Sequence, residues 1–248
     1  MTPPALSPPL RIDRTLPWAL AGLALALALF ELTDIDLRVQ DTLFDAARGA
    51  WRVDEDDRLG RTLFYSGPKI LLIGFGLAVI AMACVSERRR DELGFGQVHR
   101  RDFWVLALTL ATTPALVGGL KDATNVFCPR DLQRYGGAVP YMKLFPPFPA
   151  SDRPARRGYC FPAGHASGGF ALCALAGVAR TRRGQWRSLA LAVATGGMMG
   201  VYQMAKGAHF LSHTVITILL AWTIFLAWRR ALGRPFKLSG PATDQGAS

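Results

Sequence analysis

The sequence predicts an all-α fold, a six-transmembrane-helix integral membrane bundle, on three observations. Half of the 248 residues are apolar. The apolar residues gather into six long runs, and compact arginine clusters separate alternate runs. Mean hydropathy is positive at +0.20, which excludes a disordered chain, and the 25 glycines follow no collagen-like period.

The runs are Leu16–Leu32, Ile70–Val85, Phe103–Leu120, Pro162–Ala179, Leu189–Ala205 and Phe210–Trp228. They divide the chain into a tail over 1–15, a membrane unit over 16–232 and a second tail over 233–248. Several runs are shorter than the ~20 residues a bilayer core requires. That shortfall is tolerable where polar helix ends line a protein-enclosed cavity. The first run ends in Phe30-Glu31-Leu32, without a small-residue cleavage pattern, so it is expected to persist as an anchor.

Lys and Arg set the orientation. Arg11 and Arg14, the group Arg88, Arg89, Arg90, Arg100 and Arg101, the group Arg180, Arg182, Arg183 and Arg187, and finally Arg229, Arg230, Arg234 and Lys237 fall on one side if six spans alternate. The positive-inside rule makes that side cytoplasmic, with both termini. The expected setting is a multi-pass protein of a bacterial inner membrane. A net charge of +11 in a soluble chain would suggest nucleic acid, but here the cations flank spans without any nucleic-acid-binding motif, and no nucleic-acid partner is expected.

The outward loop 121–161 breaks the charge rule. Lys121, Arg130, Arg134, Lys143, Arg153, Arg156 and Arg157 outnumber Asp122, Asp131 and Asp152. Cations translocated against the bias point to an anionic substrate group, the plainer alternative being attraction to anionic headgroups. Three of the four histidines, His165, His209 and His213, fall at the outer ends of spans four and six, whereas His99 lies among cytoplasmic arginines and is read as a surface residue.

Cys160-Phe-Pro-Ala-Gly-His165 reads as a turn feeding a helix of small residues. The backbone N–H groups at its start, at Ala163 and Gly164, form an anion site. His165 stands beside it, placed to protonate a leaving oxygen. In Gln203-Met-Ala-Lys206-Gly-Ala-His209-Phe-Leu-Ser-His213, the two histidines are four apart and share a helix face, with Lys206 one turn before His209.

Together, Lys121 to Arg134, Pro162 to His165 and Gln203 to His213 resemble the three signature stretches of the type-2 phosphatidic-acid phosphatase superfamily, the haloperoxidase-like lipid phosphatases. The resemblance covers about 93 residues and the six-span layout. The family's first stretch is Lys, six residues, then Arg-Pro; this chain has Lys121 and Cys128-Pro129. Its Pro-Ser-Gly-His is matched by Pro162-Ala163-Gly164-His165. Its Arg, nucleophilic His and Asp fall on Gln203, His209 and His213. A variant bacterial branch with Cys-Pro, Gly-Gly and His-Phe-Leu-Ser-His stretches resembles it further.

The resemblance implies Lys121 as phosphate clamp, His165 as general acid and His209 as a nucleophile that forms a phosphohistidine, with no metal or other cofactor. His213 takes the place of the carboxylate that orients the nucleophile. Arg130, Arg134 and Lys206 are expected to supply the charge missing at Cys128 and Gln203. The implied substrate is a lipid phosphate or pyrophosphate: polyprenyl pyrophosphate, phosphatidic acid, phosphatidylglycerol phosphate or a lipid A phosphate. Membrane lipids are the other implied partner, and the oligomeric state is left open.

Cys84 and Cys173 lie within spans and are read as packers, while Cys128 and Cys160 share the outward loop. In an oxidising periplasm a bridge between them would close a loop of about 33 residues, the alternative being two free thiols. Tryptophans near span ends suggest an interfacial belt, and the aromatic loop Tyr141 to Ala150 is expected either to admit a lipid tail or simply to pack. Four competing readings remain. They are a lipid phosphotransferase using the same site, a rhomboid-like serine protease built on Ser167, a zinc site on His165, His209 and His213, and a non-catalytic channel or scaffold. The protease motif would require Gly where His165 stands, and the zinc motif lacks its general-base Glu, because Phe210 and Leu211 follow His209.

Overall fold

The computed structural model describes residues 15–54, 56–145 and 154–233. Both tails, with Arg11, Arg14, Arg234 and Lys237, lie outside them, as does the 146–153 part of the aromatic loop with Asp152 and Arg153. The described residues are 71% helical. Among the described residues the only sheet is a short antiparallel hairpin, β1 (Phe44–Asp45) against β2 (Ala50–Trp51). The all-α expectation therefore holds.

Four helical stretches are long and apolar enough to cross a membrane. The first is α1 (Thr15–Leu32), apolar on every face, with Trp18, Leu25 and Leu32 more than 70% exposed. A short α2 (Ile35–Asp41) follows. The second runs from α3 (Arg58–Arg61), capped by the Asp57 carboxylate accepting from Gly60 N–H at 2.9 Å, through a π turn into α4 (Gly67–Cys84). After α5 (Glu87–Glu92) comes α6 (Arg100–Thr124), which stops at Asn125 in the left-handed conformation. The last is α10 (Leu211–Ala231).

The other two expected spans are helical but differ in kind. The fourth is broken into α7 (Gly164–Ala171), a 3-10 turn and α8 (Leu175–Val178). At 1.5 Å per residue it reaches only about 22 Å, less than a bilayer core of ~30 Å. It sits inside the bundle, packed on α6, α10 and α9 (Arg182–Ala205), so its ends face protein. The fifth, α9, is long enough but too polar at its ends to qualify by composition. Glycine brings α7 and α9 together. A Cβ on Gly169 would lie 2.7 Å from Gly196, and one on Gly196 would lie 2.3 Å from the Phe170 ring.

The main core runs through Phe103, Leu106, Phe170 and Phe225. A second cluster, Phe127, Leu132, Tyr135, Val139 and Phe210 with Phe44 and Trp51 against it, caps one end of the bundle. The arginine connections collect at the other end. There the buried Asp102 carboxylate pairs with Arg229 at 3.2 Å and Arg180 at 3.6 Å, while Arg100 donates to the Ala83 carbonyl at 2.7 Å. Asp102 begins α6 and Lys121 lies in its last turn, so the two ends are about 28 Å apart along that helix.

Candidate active site

Three elements bring the histidines together. His165 is the second residue of α7, which follows a cis Phe161–Pro162 bond. His213 sits in the first turn of α10. His209 lies in the short link between α9 and α10, shaped by Gly207, whose φ of +66° suits glycine and whose missing side chain leaves room for Trp51.

The imidazoles form a line. His165 Nδ1 is 3.3 Å from His209 Nε2, and His209 Nδ1 is 3.2 Å from His213 Nδ1. Each facing pair of nitrogens shares one proton. A consistent arrangement has His165 donating to His209 and His209 donating to His213, which leaves the lone pair of His209 Nε2 on the His165 side. His209 and His213 are each 2% exposed. Burial, reinforced by His213 and Lys121, holds the His209 imidazole well below its ordinary value of 6.5, so the ring is neutral at neutral pH.

A cavity of about 290 Å³ opens on this line, bordered by Lys121, Arg130, His165, Gln203, Lys206 and His209. Lys121 enters beside Gly164. A Cβ there would stand 3.2 Å from the Lys121 ammonium, so glycine makes room for the cation. Arg130 is carried by a 3-10 turn, Pro129–Asp131, whose Arg130 N–H donates to the Gly207 carbonyl at 3.0 Å. The Cys128–Cys160 disulfide pins that turn to the segment leading into α7. Basic groups facing buried neutral imidazoles make a site suited to a multiply charged anion.

Three expected phosphate ligands, Arg134, Ala163 and Gly164, do not border the cavity. The Arg134 guanidinium faces α2, where it donates to both oxygens of Asp41 at 2.8 and 2.7 Å and holds that carboxyl below the usual carboxylate range. A bidentate ion pair commits the fork that a phosphate would need. The Ala163 N–H donates to the Thr217 hydroxyl at 3.0 Å and to the His213 carbonyl at 3.2 Å, so it anchors α7 to α10. Gly164, at the start of α7, borders the neighbouring groove.

Sequence reasoning did not single out Arg61, Tyr65, Tyr159 or Tyr202, which also border the cavity. Tyr202 stands next to Gln203 and was within reach of the third motif. Arg61 and Tyr65 carry no spacing signal, since they arrive from the α3–α4 stretch. Tyr65 packs on His165 with ring centroids 4.5 Å apart.

The zinc reading loses support in this geometry. Cys160, His209 and His213 cluster closely, but the Cys160 sulfur is committed to the disulfide. His165 and His213 face opposite nitrogens of the His209 ring, so the three imidazoles present no common focus. Ser167 donates its hydroxyl to the Gly164 carbonyl of its own helix at 2.7 Å, which does not build a protease dyad.

Fold and site thus define a helical membrane protein with a histidine-and-cation cavity at one end. Residues 102–236, more than half of the chain, match the PAP2 superfamily, and the chain belongs to that superfamily of phosphatases. No curated protein and no solved structure matches it.

Proposed function

We propose that this chain removes phosphate from a lipid phosphate or pyrophosphate at the periplasmic face of a bacterial inner membrane, with both termini cytoplasmic. The observation that carries the reading is the junction of two cavities. The cationic one shares Tyr65, Lys121 and His165 with an apolar groove of about 520 Å³ between α4, α6 and α7, lined by residues such as Leu72, Leu77, Ile80 and Leu110. Leu77 and Ile80 are also exposed on the outer surface of α4, so the groove meets the apolar face of the bundle. An amphiphile with an anionic head satisfies both halves at once.

In this reading the bound anion draws a proton onto His165 and separates it from His209. The freed His209 Nε2 attacks phosphorus in line, and the bond from phosphorus to the lipid oxygen breaks as the His165 imidazolium gives that oxygen a proton and becomes neutral. Water, deprotonated by His165, then attacks the phosphohistidine and releases inorganic phosphate. Lys121, Arg130 and Lys206 offset charge on the equatorial oxygens, and the Gln203 amide supplies neutral hydrogen bonds where the family pattern has Arg. His213 accepts from His209 Nδ1 and fixes its tautomer.

Purified protein should release phosphate from at least one of polyprenyl pyrophosphate, phosphatidic acid, phosphatidylglycerol phosphate or a lipid A phosphate. His209→Ala should lower that rate by about 10³-fold or more. Equal release by both proteins would remove His209 from the mechanism.

A further inference from the structure

We infer that Asp36, a carboxylate outside the family-matched region, is the positioning residue that restores to the His209–His213 pair the negative charge lost where the family's Asp became His213. The inference rests on the phosphatase reading above. Asp36 lies in the first turn of α2 and is only 5% exposed. Its Oδ1 accepts the Ser212 N–H at 2.8 Å, and the Ser212 hydroxyl also bonds to the carboxylate. Phe210, at the cap position of α10, offers no side-chain acceptor. A residue distant in sequence by 176 positions therefore caps the helix that carries His213, at the end where a helix favours negative charge.

The carboxylate and the histidine also face one space. A cavity of about 40 Å³, room for a water molecule, is bordered by Asp36, Ser212, His213, Tyr141, Lys143 and Glu31. His213 thus meets His209 through its Nδ1 and also borders the space that Asp36 borders. Lys143 does not neutralise Asp36 alone. Its ammonium pairs with Asp34 at 3.2 Å and donates to the carbonyls of Glu31 and Thr33.

When His209 Nε2 bonds to phosphorus, its ring becomes cationic while the Nδ1 proton stays in the bond to His213. A neutral imidazole supports that charge weakly. Burial pushes the Asp36 carboxyl up from its ordinary value of 3.8, while the bonds from Ser212 pull it back. The ionised carboxylate supplies the missing field across the shared space.

The test uses the full chain in detergent or lipid vesicles, with phosphate release as the readout. Asp36→Asn keeps an oxygen that can accept from Ser212 but removes the charge. It should lower kcat about tenfold or more, with KM changed less than twofold and the thermal midpoint preserved. Asp45→Asn, an acid of the β1–β2 hairpin, should match wild type. In a His213→Asp background, which places a carboxylate directly beside His209, the further change Asp36→Asn should matter less than twofold. An active wild type left unchanged by Asp36→Asn overturns the inference alone, as does an equal tenfold loss in both backgrounds. A wild type inert on every lipid phosphate overturns the phosphatase reading and the inference with it.

Discussion

In the proposed mechanism His209 is a neutral nucleophile, and its surroundings keep it neutral. Burial is the main cause, with His213 and Lys121 adding to it, and its folded-state value lies well below 6.5. Two consequences follow for pH. The nucleophile stays available as pH falls through the range where an exposed histidine protonates, so the His209 limb of the kcat/KM profile should lie below pH 6.5. Its depressed value also contributes stability that is complete above 6.5 and is lost as pH falls toward the folded-state value. Thermal unfolding measured across that window should show the decline, and His209→Gln should flatten it. The residues that reach this site divide by how they were legible. Lys121, His165, Gln203, Lys206 and His209 stand at fixed spacings in three short stretches, and the structure gathers them around one cavity. Arg134 stood at an equally plausible spacing but pairs with Asp41, 93 positions away, and only tertiary structure decides that choice.

The disulfide acts at the scale of elements. It ties the Arg130 turn to the strand-like approach to α7, and the Cys160 N–H donates to the Val126 carbonyl at 2.9 Å beside it. The Arg130 N–H in turn reaches Gly207 in the histidine link. One covalent bond thereby fixes a cation relative to two of the three imidazoles. Replacing both cysteines, Cys128→Ser with Cys160→Ser, should lower stability by about 4 kcal/mol, the loop-closure effect for a loop of this length. It should also reduce kcat as Arg130 loses register. Chemical denaturation in detergent, compared with disulfide-bonded wild type, checks the first, and the rate of phosphate release checks the second. The pairing was foreseeable because two cysteines shared one long loop between apolar runs. The broken fourth span was not, because its apolar run hides where Leu172–Ala174 tightens into a 3-10 turn.

At the scale of the whole molecule, the groove between α4, α6 and α7 joins the cationic cavity to the apolar outer face of α4 and in the proposed reading admits the lipid chain. Ala111 borders the groove from the exposed side of α6. Ala111→Trp should obstruct it without disturbing the core, raising KM about tenfold for a long-chain lipid phosphate and leaving a short-chain, water-soluble ester unaffected. Parallel kinetics on the two substrates would show whether the effect depends on chain length. Six long apolar runs were visible in the sequence and four qualify as spans in the structure, because α7–α8 is short and buried and α9 ends in polar residues. The cavity wall was less visible still. Asp36, Arg61 and Tyr65 all precede residue 102, where the family match begins. A chimera that grafted residues 102–236 behind another protein's leading helices would keep His165, His209 and His213 but inherit foreign masonry around them. In the proposed reading the leading helices therefore carry part of the catalytic setting, through Asp36, as well as one wall of the groove, through α4.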